Sequence, residues 1–84
     1  MISFSESAFS QYNEWPEEDI KIFEKINKLI TEISRDPFHG TGKPEPLIGN
    51  LSGHWSRRIT DEHRLVYKVF PDQVIIVSCK NHYK

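Results

Sequence analysis

Five side chains in the second half of this sequence are of types that move protons or hold an anion: Glu45, Arg58, Arg64, His82 and Tyr83. The chain closes Lys80-Asn81-His82-Tyr83-Lys84, so an imidazole and a phenol stand just past a strand-like apolar run over residues 74–79. Glu45 lies between Pro44 and Pro46, whose rings restrict its backbone and lower the entropy cost of holding one carboxylate in place. A carboxylate, an imidazole and two guanidinium groups are what cleavage of an RNA phosphodiester by its own 2′-hydroxyl requires. A base takes the 2′ proton, an acid protonates the departing 5′ oxygen, and arginines stabilise the charge on the phosphorane-like transition state. That chemistry calls for no metal ion and no cofactor. It leaves a 2′,3′-cyclic phosphate and a 5′-hydroxyl end.

Such groups must be positioned by regular elements. Residues 2–4 alternate as a short first strand does. Ser5 reads as a helix N-cap with Glu6 in the first turn, and Phe9, Tyr12 and Trp15 recur at a spacing of three. Pro16 is expected to end that helix and open the next, followed by Glu17, Glu18 and Asp19 at its N-terminus. Over residues 19–35, Ile22, Phe23, Ile26, Leu29, Ile30 and Ile33 mark one apolar helical face, and Pro37 stops the helix. Residues 36–50 hold three prolines and three glycines and read as a loop with a stiff centre. Three strands follow, over residues 55–59, 64–69 and 74–80, joined by short turns and therefore forming an antiparallel meander. The expected class is α+β, with two N-terminal helices packed on a small, mainly antiparallel twisted sheet.

Directly opposed residues on antiparallel neighbours share a face. If Arg58 opposes Arg64, and Arg64 opposes Lys80, one face collects His54, Ser56, Arg58, Arg64, Val66, Lys68, Ile76, Ser78 and Lys80. The other collects Trp55, Arg57, Ile59, Leu65, Tyr67, Val69, Ile75, Val77 and Cys79, nearly all apolar, and should pack on the long helix. A row of Arg58, Arg64 and Lys80 is unfavourable unless an anion sits among them, and a phosphate is the natural one. Lys43, Arg58 and Lys80 are thus the candidate phosphate contacts. Continuing the parity brings His82 to the same face.

Composition bounds the rest. The 84 residues are expected to form one domain, and a single cysteine excludes an internal disulfide. Residues 1–42 carry four Lys/Arg and eight Asp/Glu, a net of −4, whereas residues 43–84 carry seven and four, a net of +3. The basic half suits an anionic partner. The first residues lack a basic and then apolar leader, and no apolar run approaches the roughly eighteen residues that span a membrane, so the cytoplasm is expected and no membrane partner. Competing chemistries fit less well. His39, His54, His63, His82 and Cys79 show no metal-ligand spacing. Cys79 should turn into the core. Gly40-Thr41-Gly42-Lys43 lacks the strand–loop–helix setting of a phosphate loop.

The runs Gly42-Lys43-Pro44-Glu45-Pro46-Leu47, Asn50-Leu51-Ser52-Gly53-His54-Trp55-Ser56-Arg57-Arg58-Ile59-Thr60 and Glu62-His63-Arg64-Leu65-Val66-Tyr67, with the terminal His82-Tyr83, resemble the YoeB toxins of the RelE/ParE superfamily of toxin–antitoxin systems. The resemblance covers essentially the whole chain. It implies a RelE-like fold and a ribosome-dependent endonuclease that cuts mRNA in the ribosomal A site and stops translation. It also implies a YefM-type antitoxin as partner, repression of the operon through the antitoxin's DNA-binding part, and a tendency to dimerise. By the same resemblance Glu45 is the general base, Arg58 and Arg64 contact the phosphate, His82 is the general acid and Tyr83 completes the site. Two positions depart from the family pattern: Ile48 stands where some members carry a basic residue, and Lys84 extends past the usual terminal tyrosine. The alternative within the superfamily is a ParE-like toxin that binds a protein target such as gyrase without cutting RNA.

Overall fold

The structure, a computed structural model, describes residues 1–81. Among them the order is β1 (Ile2–Phe4), α1 (Glu6–Glu18), α2 (Ile20–Arg35), β2 (Glu45–Pro46), β3 (His54–Arg58), β4 (Arg64–Val69) and β5 (Val74–Ser78). The class is α+β, as expected. No helix among the described residues is long and apolar enough to cross a membrane.

Ser5 opens α1, its Oγ accepting the Ala8 N–H at 3.2 Å. The helix then runs through Pro16 to Glu18, past the stop expected at the proline. Proline costs a helix the bond to the carbonyl four residues back. Here the loss falls near the C-terminal end, where Trp15 is anchored independently: its indole Nε1–H donates to the Cys79 carbonyl at 3.0 Å. The break comes at Asp19. Its backbone is extended, and its carboxylate accepts the N–H groups of Lys21 at 3.1 Å and Ile22 at 3.3 Å, capping α2. Along α2 the expected stripe holds, with Ile26, Leu29 and Ile33 fully buried.

The sheet order is β1-β5-β4-β3-β2. β3, β4 and β5 form the antiparallel meander, and β1 adds to β5 in parallel, which makes the sheet mixed. β2, two residues long, pairs antiparallel with β3 inside what the sequence presents as loop. The β3–β4 register is the expected one throughout, from His54 opposite Lys68 to Arg58 opposite Arg64. The β4–β5 register is the expected one at Val66 and departs from it from Tyr67 onward. Val66 opposes Ser78, but Tyr67 opposes Ile76, so a bulge between Val66 and Tyr67 absorbs one residue of β5. Ile76 therefore joins the core, fully buried opposite Tyr67, and Ile75 pairs with Lys68. The assignments of Ile75 and Ile76 to faces are thereby exchanged.

The core lies between the helices and one sheet face. Ala8, Trp15, Ile26, Leu29, Ile33, Ile59, Leu65, Tyr67, Ile76 and Cys79 meet there, with Tyr12 wedged between the rings of Phe4 and Phe23 at 5.0 and 4.9 Å. Trp55 packs at the margin of this cluster against Phe38, ring centroids 5.1 Å apart.

Candidate active site

The sheet face turned away from the helices carries three cross-strand rows. The middle row joins Glu45, Ser56 and Val66. Two residues along the strands on one side stand Arg58 and Arg64; two residues along on the other stand His54 and Lys68. Glu45 and Arg58 are exposed on this face, whereas Ser56 and Val66 between them are buried, each 4% exposed. Glu45 and Arg58 sit on adjacent strands two residues apart, about 8 Å between backbones from strand geometry. Lys43, at a positive φ of 55°, brings its Nζ to 3.9 Å from Glu45 Oε1.

The two arginines are held differently. Arg64 bends back over the β3–β4 turn, where Nη1 donates to the carbonyls of Thr60 at 2.6 Å, His63 at 3.1 Å and Asp61 at 3.2 Å. Among the described residues its Nε and Nη2 have no partner, so the edge that can grip an anion in two places points away from the turn's carbonyls. Arg58 reaches Asp61 Oδ1 at 3.3 Å, an exposed pair that a phosphate could displace at little cost.

Lys80 is placed elsewhere than the register predicts. Its Nζ lies 2.7 Å from Glu18 Oε1 and 3.4 Å from Glu14 Oε1, above the Trp15 ring at 5.2 Å. The hydrogen bond to Glu18 leads in raising its pKa. Its charge is engaged by α1 rather than by the Arg58–Arg64 row. Beyond Ser78 the chain leaves the ladder, and it is Asn81, at a positive φ of 66°, not Lys80, whose carbonyl accepts the Arg64 N–H, at 3.1 Å. Cys79 is buried as expected, and burial pushes its thiol up to about 11, so it offers no thiolate at neutral pH.

The segment that delivers Glu45 is fixed by Arg57, the one charged residue of the apolar face. Its side chain is 0% exposed, yet all its donors are used. Nε donates to Tyr67 Oη at 3.1 Å, Nη1 to Glu32 Oε1 at 3.1 Å and the Thr41 carbonyl at 3.2 Å, and Nη2 to the carbonyls of Asp36 at 2.8 Å and His39 at 2.9 Å. Tyr67 continues the network, its hydroxyl donating to the Pro37 carbonyl at 2.7 Å. Glu32 accepts from the Thr41 N–H and hydroxyl at 2.8 and 2.7 Å. Gly40, at a φ of 135°, leaves room for this: a Cβ there would stand 2.5 Å from Glu32 Oε1 and 2.6 Å from Arg57 Nη1. Nothing in the sequence besides the misfit of one arginine on an apolar face signals this clamp.

The chain leading to the last candidates is tied as firmly. Cys79 N–H donates to Gln11 Oε1 at 2.7 Å, and Asn81 N–H donates to His63 Nδ1 at 2.8 Å. His82 and Tyr83 themselves lie outside the described residues.

The family model of the YoeB-like toxin of bacterial type II toxin-antitoxin systems matches residues 4–83. The chain belongs to the YoeB toxin family. Toxin YoeB of Streptomyces coelicolor is 55% identical over 82 residues, which is 98% of each chain. The YoeB/ParE toxin from Agrobacterium tumefaciens superposes with a TM-score of 0.94 at 44% identity, over 98% of both chains. Two Staphylococcus aureus structures, a YoeB dimer and a heterotetrameric YoeB-YefM toxin-antitoxin complex, give TM-scores of 0.89 and 0.90 at 48% identity. They cover 98% and 99% of this chain and 95% and 97% of theirs. The match to the YoeB model spans the segments that bear Glu45, Arg58, Arg64 and His82.

Proposed function

We propose that the chain is a ribosome-dependent mRNA endonuclease that cuts in the ribosomal A site and thereby inhibits translation. The observation that carries the reading is the register that puts Glu45, Arg58 and Arg64 on one sheet face, with the Nε–Nη2 edge of Arg64 unpartnered among the described residues. In the reaction the RNA 2′-oxygen attacks phosphorus and the bond to the 5′ oxygen breaks. Glu45 takes the 2′ proton, His82 gives a proton to the 5′ oxygen, and Arg64 and Arg58 bind the non-bridging oxygens as charge accumulates on them. Tyr83 completes the catalytic set, and Lys43 lends positive charge beside Glu45. With so few groups, the ribosome is needed to hold the 2′-hydroxyl in line with the leaving oxygen, an orientation term that is large in such reactions.

The S. aureus assemblies support a YefM-type antitoxin and a second copy of this chain as partners. Operator DNA is then met only through the antitoxin, and the cytoplasm is the place of action. The test is induction in bacteria without antitoxin, followed by mapping of mRNA ends. Cuts within translated codons that disappear in Arg64→Ala and in His82→Ala support the nuclease. Growth arrest with broken DNA and intact mRNA points instead to a ParE-like action on gyrase.

A further inference from the structure

His63 lies in the β3–β4 turn and is only 8% exposed, its ring edge-on to Trp15 with centroids 4.8 Å apart. The Asn81 N–H donates to its Nδ1, so that nitrogen carries a lone pair and the ring proton sits on Nε2, which faces Glu62 Oε1 at 3.8 Å. Asn81 has a positive φ of 66°, and its carbonyl accepts the N–H of Arg64, the residue next to His63. Both backbone groups of Asn81 are therefore held by two consecutive residues at the start of β4. One residue further along the chain is His82.

We propose that His63 is a positioning residue: the lone pair on its Nδ1 holds Asn81 in its left-handed turn and so sets where His82 begins relative to Arg64. This rests on His82 acting as the acid in the reaction above. The role does not require His63 to touch RNA. The residue before His82 and the backbone of Arg64 are brought into one frame by this clamp, His63 and Arg64 on one side and Asn81 on the other.

The test compares His63→Asn and His63→Gln in the full chain. The Asn side-chain oxygen falls where Nδ1 stands, whereas the Gln amide reaches the position of Nε2. Cleavage of mRNA on programmed ribosomes should fall in His63→Gln by about 100-fold in kcat, as expected for a slightly misplaced catalytic group, with KM unchanged. His63→Asn should keep most of the rate. In parallel, nitrogen NMR of the unaltered protein should show His63 Nδ1 without a proton, and the Asn81 amide should exchange slowly there and in His63→Asn but fast in His63→Gln. Equal loss of kcat in both variants while both stay folded overturns the proposal, as does a proton on Nδ1 or an Asn81 amide that exchanges fast in the unaltered protein. If the unaltered protein cuts no mRNA, the nuclease reading fails, and the NMR arm alone decides whether His63 holds Asn81.

Discussion

At the residue scale, Arg57 and Glu32 decide how the Glu45 loop is held. A guanidinium with every donor satisfied is tolerated in a core, but removing it strands the groups it served. Arg57→Ala should lower stability by about 3–5 kcal/mol, the cost of breaking a buried charged network, as read from urea unfolding at neutral pH. Arg57→Lys should recover little, because an ammonium cannot supply five donors in a plane. Glu32 adds a pH dependence. The Thr41 hydroxyl bond, with help from the Thr41 N–H and from Arg57, holds its carboxyl below the usual glutamate range in spite of some desolvation. A pKa lowered by folding contributes stability that is present above the unfolded value and lost as pH falls through the folded one. The urea midpoint should therefore fall as pH drops below about 4, and the fall should be shallower in Glu32→Gln. The sequence marks Arg57 as out of place on an apolar face but not what it binds, because three of its partners are backbone carbonyls of a loop whose path no residue pattern states.

At the scale of elements, the amphipathic stripe of α2 and the alternation in β3 and β4 were legible because burial on one face dictates them. The end of α1 was not. Pro16 signals a stop, but the anchoring of Trp15 carries the helix one turn further, and the capping falls to Asp19. Asp19→Ala should cost about 1 kcal/mol in urea unfolding and Asp19→Asn much less, since asparagine also caps. A stop at Pro16 would instead leave Asp19 inside the helix and its replacement nearly neutral. The bulge in β5 was likewise invisible. Val74 to Cys79 is apolar at nearly every position, so alternation cannot fix its parity, and only the cross-strand pairs reveal the extra residue. That single residue exchanges the faces of Ile75 and Ile76, whereas Lys80 goes to α1 and Asn81 comes beside Arg64 because the chain leaves the ladder after Ser78.

At the scale of the whole molecule, the two ends of the chain converge on one strand. β1 pairs with β5, and α1 holds the residues that follow β5 through Gln11, Trp15, Glu14 and Glu18. The first helix thus serves the C-terminal end as well as the core. The face bearing Arg58 and Arg64 was legible because the β3–β4 register follows from the hydrophobic pattern; the pairing that adds Glu45 to it was not, because its two flanking prolines read as loop. The central claim is transfer of the scissile phosphate to the RNA's own 2′-hydroxyl, and the chemistry of the new ends tests it most directly. Purified protein is added to ribosomes programmed with a defined mRNA, and the 3′ ends formed at the A-site codon are identified. The account predicts 2′,3′-cyclic phosphate paired with 5′-hydroxyl, absent with Arg64→Ala. Ends carrying a 3′-hydroxyl and a 5′-phosphate, or mRNA left whole by the unaltered protein, would contradict it.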